Sequence, residues 1–295
     1  MGAHAGTAFP GGRRPRSWRQ RLGGLVVLGS LLLAVAMGCQ HQPPRLVLAV
    51  HLWPGYAYFS LAMDHQQYDP GRLNLDLRNF ADSAATMEAY MSGGAQAIAT
   101  TTIEVVNICG VAPDRCPVIV YVIDESRGAD QVLARQGVRG LKDLIGQPIA
   151  LDHSSLSRYV LSRAFETAGL PPPEPSQLRF LPAATWEAAL RREEVQAAVT
   201  YPPRSEQLLR ALPLKTLFTS RQLPYEILDV LAVEPELLDR HPDAILALLQ
   251  GWQAVRQEES QRPAAVRLGM AKHLGLDPGK SLLGLGGIRY PGPQE

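Results

Sequence analysis

Short leucine-rich and β-branched runs alternate with helix-patterned stretches from residue 45 to residue 233, and this rhythm restricts the chain to an α/β fold. The strand-like runs are "RLVLAV", "LNLDLR", "AQAIAT", "PVIVYVI", "QVLAR", "PIALD", "QLRFL", "VQAAVT" and "YEILDVLAV". In the second, Leu73, Leu75 and Leu77 share one face. Between them lie helix patterns. "AYFSLAMDHQQY" follows the interruption "WPGY". Another helix runs from Asp82 as N-cap to the Gly93–Gly94 stop, with Ala85, Met87, Ala89, Tyr90 and Met91 mostly inward. "TTIEVVNI", "SSLSRYVLSRAFETAGL", "TWEAALRRE" and "PPRSEQLLRAL" complete the set, the last with prolines in its first turn. The pattern predicts largely parallel sheets. From Pro235 onward the chain reads as helical, and the stripe Ile245, Leu248, Leu249, Trp252 and Val255 assigns Trp252 to the core.

Two such α/β units and a helical tail predict two lobes, with crossings near Asp124–Asp130 and Ser220–Tyr225. Ligands of open α/β sheets bind beyond the carboxyl ends of the strands, so the expected site is the cleft between the lobes.

Charge separates the first residues from the rest. All five arginines before residue 39 (Arg13, Arg14, Arg16, Arg19, Arg21) lie in a segment without an acid. Without them, 24 of the 29 basic residues face 28 acidic ones, and the formal charge changes from +1 to −4. A mildly acidic body lacking basic runs argues against nucleic acid as a partner. The arginine-rich stretch precedes an uncharged run, Leu22 to Gly38, that would span about 25 Å as a helix, short of a comfortable bilayer crossing. Residues 1–38 therefore read as a cleavable export signal and 39–44 as a polar tether. "AMGC" resembles the lipobox of bacterial lipoproteins, with Cys39 as the lipidated residue, although Ala36 stands where leucine is usual. An uncleaved membrane anchor is the alternative. A twin-arginine signal fits less well, because Pro15 follows Arg13–Arg14. The expected location is the periplasm or cell envelope. Cys109 and Cys116 flank the turn-forming "GVAPDR", and in an oxidising compartment they form a candidate disulfide, with two free thiols as the alternative.

"WPGY", "SGGAQAIATTTIEVV", "VIDESRGADQVLAR", "VRGLKDLIGQPIALD" and "VQAAVTYPP" occur in an order that resembles the nitrate/sulfonate/taurine/thiamine-pyrimidine branch of periplasmic substrate-binding proteins. The resemblance covers about residues 45 to 290 and rests on no single motif. It implies a two-lobed type II periplasmic binding protein fold, with 45–126 as the first part of lobe one, 127–222 as lobe two, and 223–295 as the return plus C-terminal helices. "GIRYPGPQE" resembles a stretch that relatives follow with a further segment. The family works without cofactors, delivering a small solute to an ABC permease and its cytoplasmic ATPase, so a monomeric, non-enzymatic binding protein is expected.

The cleft needs hydrogen-bonding groups at strand ends and helix N-termini, with aromatic walls. Trp53 and Tyr56 bracket Pro54–Gly55 after the first strand, where the resemblance also implies a ligand loop; Trp53 as a plug of the lobe is the alternative. Thr101 and Thr102, like Ser154, Ser155 and Ser157, sit where a strand gives way to a helix, and fit either ligand binding or capping. Tyr201 ends the last strand of lobe two and could close over the pocket. Glu104, Asp124, Asp130 and Asp229 fall at strand ends or crossings; Asp130 suits a hinge role tying backbone amides, and Glu104 also suits a helix dipole. His51 and His153 adjoin cleft loops, and Arg127, Arg158 and Arg204 are the nearby cations. Clustered carboxylates repel nitrate or sulfonate, so a cationic or donor-rich solute is expected.

Enzymatic motifs fail. Position 274, where a phosphate loop ending in "GKS" (279–281) requires glycine, is leucine, and "GLGG" opens no dinucleotide unit. No G-x-S-x-G is present, and the histidines lack metal-binding spacing. A thiamine-pyrimidine synthase shares this fold but carries a cysteine-rich motif missing here. A sensor lipoprotein that presents its ligand to a signalling partner stays open beside transport.

Overall fold

The computed structural model describes residues 1–3, 6, 43–277 and 286–292. The chain divides into two units, Met1–Gln42 and Pro43–Glu295, and every element below belongs to the second. The expected export signal, apart from residues 1–3 and 6, and the lipidated Cys39 lie outside the described residues.

The first sheet takes β1 (Arg45–His51), β2 (Asn74–Phe80), β3 (Ala97–Thr101), β4 (Val118–Ser126), β10 (Leu228–Val233) and β11 (Ile288–Arg289), in the order β11-β4-β10-β3-β1-β2. Its helices are α1 (Pro54–Asp64), α2 (Ser83–Met91) and α3 (Thr102–Val111), joined late in the chain by α7 (Pro235–Arg240), α8 (Pro242–Gln261) and α9 (Pro263–His273). The second sheet takes β5 (Gln131–Arg135), β6 (Ile149–Leu151), β7 (Leu178–Phe180), β8 (Ala197–Thr200) and β9 (Leu214–Thr219), in the order β7-β6-β8-β5-β9, with α4 (Ser155–Thr167), α5 (Trp186–Arg191) and α6 (Arg204–Ala211).

The sheets are mixed rather than largely parallel. β1 is parallel to β2 and β3, and β6 to β7 and β8, but β10 runs against both β3 and β4, and β5 against both β8 and β9. Geometry forces this reversal. The chain leaves the first sheet at the carboxyl end of β4, enters the second through β5, leaves it at the carboxyl end of β9 and returns through β10. Both crossings join the carboxyl edges of the two sheets, so each entering strand must run backwards. The carboxyl edges consequently face one another.

Each sheet has its own core. On one face of the first, Leu46, Leu48 and Val50 of β1 pack with Phe59 and Leu61 of α1 and with Leu248 and Trp252 of α8; on the other, Ile98 and Val230 meet Met87, Tyr90 and Ile108. Trp252 lies in the core, as its stripe predicts, and its indole N–H donates to the Gly55 carbonyl at 3.0 Å, fixing the start of α1. That helix begins inside "WPGY": Trp53 is its N-cap and Pro54, with φ preset for a first helical turn, its first residue. Pro202 and Pro203 precede α6 instead of lying within it. β9, in which only Phe218 is buried, and the two-residue β11 lie outside the strand-like runs of the sequence, because both are edge strands of mostly exposed or half-buried positions with little hydrophobic periodicity.

Cys109, near the end of α3, is joined in a disulfide to Cys116, just before β4. At the crossings, Ser126 and Ser220 pair through their hydroxyls at 2.8 Å. The Gly128 N–H donates to Ser220 Oγ (2.7 Å), the Asp130 N–H to Ser126 Oγ (3.2 Å) and the Ser220 N–H to the Asp130 carbonyl (2.9 Å). The sequence assigns the tying of hinge amides to the Asp130 carboxylate; the two serine hydroxyls do it, because they lie face to face where the crossings touch.

Candidate functional site

The carboxyl edge of the first sheet gathers His51 at the end of β1, Thr100 and Thr101 at the end of β3, Asp124 near the end of β4 and Asp229 at the start of β10. Asp229 sits opposite Asp124 on one side and opposite Thr101 on the other. Directly opposed residues of an antiparallel pair bring their side chains together, and like charges there repel. Both carboxyls are buried. The Trp53 indole N–H donates to Asp124 Oδ2 at 3.0 Å, and the Tyr56 hydroxyl donates to Asp229 Oδ1. Gly55 makes room for this: a Cβ there would lie 1.9 Å from Asp124 Oδ2.

Burial dominates the protonation of these groups. It pushes Asp124 up to about 7 and raises Asp229 well above the usual carboxylate range, the neighbouring Asp124 charge adding to the latter. Burial also raises Glu104, lifts Asp130 to about 6, and lowers His51 to about 4, which leaves its ring neutral. Tyr56 is raised by burial and by Asp229.

The facing edge of the second sheet supplies Gln131 at the start of β5, Asp152 just after β6, and Thr200 and Tyr201 at and after the end of β8. Ser154 is the N-cap of α4, accepting from the Ser157 N–H at 3.1 Å. Asp152 Oδ1 accepts from the Ser154 N–H (3.0 Å), the Ser154 hydroxyl and the Ser157 hydroxyl (2.6 Å). Ser154 and Ser157 thus act as caps and as supports of Asp152. Thr101 likewise caps α3, accepting from the Glu104 N–H at 3.3 Å. Thr102 is the first residue of that helix and half-buried, and Ser155, also half-buried, is the first residue of α4.

The two edges touch. The Leu156 N–H in α4 donates to Glu104 Oε1 of α3 at 3.0 Å. Tyr201 stands edge-on to Trp53 and His51, with ring centroids 6.0 and 6.1 Å apart, and His51 lies 5.2 Å from Tyr56. At the mouth is a narrow pocket of about 60 Å³, lined by residues of both sheets including Asp82, Asp152, Thr200, Tyr201 and Arg204. A groove of about 1120 Å³ runs elsewhere, along β4 and α8, and contains none of the sequence-derived candidates.

Of those candidates, Trp53, Tyr56, Thr101, Glu104, Asp124, Ser154, Tyr201 and Asp229 gather at this junction. His153 does not: it is exposed and stacks on Phe180, over which Arg158 also lies. Arg127 is exposed at the crossing. Thr100, Gln131, Asp152 and Thr200 are not among the sequence-derived candidates, although Asp152 and Thr200 stand at strand ends as Thr101 does. Buried atoms without a hydrogen-bond partner include Thr100 Oγ1, Glu104 Oε2, Asp124 Oδ1 and His51 Nδ1 from one edge, and Gln131 Oε1 and Thr200 Oγ1 from the other. Among the described residues no group of histidine, cysteine and carboxylate side chains is arranged to hold a metal ion.

Several solved structures share this architecture. An alkanesulfonate-binding protein from Xanthomonas axonopodis pv. citri, bound to MOPS, matches with a TM-score of 0.68 at 18% identity, over 81% of this chain and 82% of that one. The periplasmic nitrate-binding protein of Synechocystis PCC 6803 matches at 0.65 and 15% identity, over 81% and 69%. A Candida albicans protein described as having the generic periplasmic binding protein fold matches at 0.65 and 14%, over 84% and 82%. No protein-family profile and no curated protein sequence matches the chain. The chain has the α/β, two-lobed periplasmic binding protein fold.

Proposed function

We propose that the protein is an extracytoplasmic solute-binding component of an ABC importer, which captures a small polar solute between its lobes and presents the closed form to a membrane permease. The observation that carries this reading is the set of buried, unpartnered polar atoms contributed by both sheets at the junction of their carboxyl edges. Such atoms are costly unless something fills their hydrogen bonds, and a captured solute does so. In this reading 45–126 and the described residues of 223–295 form one jaw and 127–222 the other, swinging about the crossings at Ser126–Gln131 and Thr219–Leu228. Trp53, Tyr56, Thr101, Thr102, Glu104, Asp124, Ser154, Ser155, Tyr201 and Asp229 supply or support the contacts. Binding alone accomplishes the function, as in the binding proteins of similar fold.

The remaining parts of the reading concern place. After removal of residues 1–38, Cys39 carries a lipid that tethers a monomer to the cell envelope, on the periplasmic side. Substituting Cys39 by alanine should abolish metabolic labelling with palmitate. The capture reading is tested by mass spectrometry of the solute that co-purifies with the protein, together with small-angle scattering before and after that solute is removed and restored. A one-to-one solute recovered chemically intact, whose return compacts the protein, supports capture. A chemically altered solute, or identical scattering curves, refutes it.

A further inference from the structure

The junction is rich in acceptors and poor in positive charge. Asp124 Oδ1 and Glu104 Oε2 accept whenever their carboxyls are ionised, Gln131 Oε1 accepts at any pH, and all three are buried without a partner. Asp124, Glu104 and Asp229 are at most 3% exposed, as are Asp130 and Asp152. Among the described residues none of these five acids forms an ion pair with a lysine, arginine or histidine. The cation that acts on Asp124 from a distance, Arg256, is already held by Glu259 and the Tyr58 hydroxyl. His51 is buried as a neutral ring and brings no charge.

The place where an anion would bind is also taken. The N-terminus of a helix offers unpaired N–H groups and a positive dipole end to oxyanions. α4, thirteen residues long, starts just after β6 at the second sheet's carboxyl edge, and its first-turn Leu156 N–H is occupied by the protein's own Glu104 carboxylate. Around the acids stand the faces and edges of Trp53, Tyr56 and Tyr201, within 6.5 Å of one another where they meet at Trp53. Aromatic rings beside carboxylates attract organic cations by two separate forces, the ring quadrupole and the charge.

Resting on the capture reading above, we infer that the solute is a small organic cation with N–H donors, an ammonium or amidinium compound, whose charged end lies against Asp124 and Asp229 and whose donors satisfy Glu104, Thr100 and Thr200. Nitrate and simple alkanesulfonates such as ethanesulfonate lack both the charge and the donors that these atoms require.

The full chain is titrated calorimetrically with methylammonium, putrescine and guanidinium, and separately with nitrate and ethanesulfonate, each up to about 10 mM. The same titrations are run on Asp229→Asn and Asp124→Asn, with circular dichroism to show that both variants fold. The expected result is one-to-one binding of at least one of the cations, weakened at least tenfold in both variants, and no binding of either anion. Failure of all three cations to bind overturns the inference, as does binding of nitrate or ethanesulfonate that persists or tightens in Asp229→Asn. The second outcome leaves the capture reading intact, since an anion would still be trapped; the co-purified solute and its scattering test decide that reading independently.

Discussion

Glu104 of the first lobe accepts a hydrogen bond from the backbone N–H of Leu156 in the second lobe, at 3.0 Å. One carboxylate therefore does two things: it satisfies a helix N-terminus that would otherwise recruit an anion, and it holds the two jaws together from the side of the cleft. A hydrogen bond to a charged group contributes about 1.5–3 kcal/mol, enough to shift an open–closed equilibrium tenfold or more. Glu104→Ala should increase the radius of gyration of the solute-free protein in small-angle scattering, and Glu104→Gln, which keeps an acceptor, should do so less. Equal radii for all three proteins would remove Glu104 as a latch.

Gly55 is required by packing rather than by its backbone angles. An added Cβ would overlap Asp124 Oδ2 and push the carboxylate away from the Trp53 indole. Overpacking of this kind costs about 1–3 kcal/mol. Gly55→Ala should reduce solute affinity at least tenfold in calorimetry while the far-ultraviolet circular dichroism stays unchanged.

The buried acids make an unusual prediction for stability against pH. Folding raises Asp124 from 3.8 to about 7 and Asp130 to about 6, and raises Asp229 in the same direction. Over that window the folded protein holds more protons than the unfolded chain, so the stability contributed by the protonated acids is lost as pH rises through the folded values. His51 acts oppositely, because its folded value of about 4 lies below 6.5, but only below pH 6.5. The other groups that act on the pair are the Trp53 indole and the Tyr56 hydroxyl, through hydrogen bonds, and Asp130 and Arg256, through their charges. Between pH 6.5 and about pH 8 the Tm of the solute-free protein should fall by roughly 3 °C or more. Asp229→Asn should flatten the profile and raise the Tm at the upper end. A Tm that holds or climbs across this range contradicts the arrangement.

Ser220 supports both crossings through one hydroxyl. Ser220→Ala removes the acceptor of the Gly128 N–H and the partner of the Ser126 hydroxyl. Leaving such groups unpaired costs about 1–3 kcal/mol each where they are buried. Denaturant unfolding should show a loss within that range, and the solute dissociation rate should rise as the hinge loosens.

The Cys109–Cys116 bridge closes a short loop between α3 and β4, with a sequence separation of 7. Loop-closure entropy gives about 2–3 kcal/mol for a ring of that size. The double Cys→Ser variant should lose close to that amount in urea while binding solute with unchanged affinity.

Much of this molecule can be read along the chain. The period of the apolar residues separates strand from helix because backbone geometry imposes it locally, and the caps Asp82, Thr101 and Ser154 mark helix starts for the same reason. Trp53, Tyr56, Asp124, Tyr201 and Asp229 could be singled out as polar or aromatic residues at strand ends, and the structure brings them to one junction. Local pattern did not reveal what these residues do to one another. The opposition of Asp124 and Asp229 depends on β10 returning between β3 and β4, and the Tyr56–Asp229 hydrogen bond spans 173 positions. Nor could it decide between capping and ligand binding for Ser154 and Thr101, or tell that Glu104 fills the α4 N-terminus across the cleft.

The sequence by itself determined the alternating elements, the two-lobed plan and the residue types available at the strand ends, because those follow from short-range periodicity and composition. Tertiary structure alone decided the strand directions, the facing of the two carboxyl edges and the crowding of unpaired acids into one buried place. Register between distant strands and the protonation of buried carboxyls depend on neighbours that the chain meets only after it has folded.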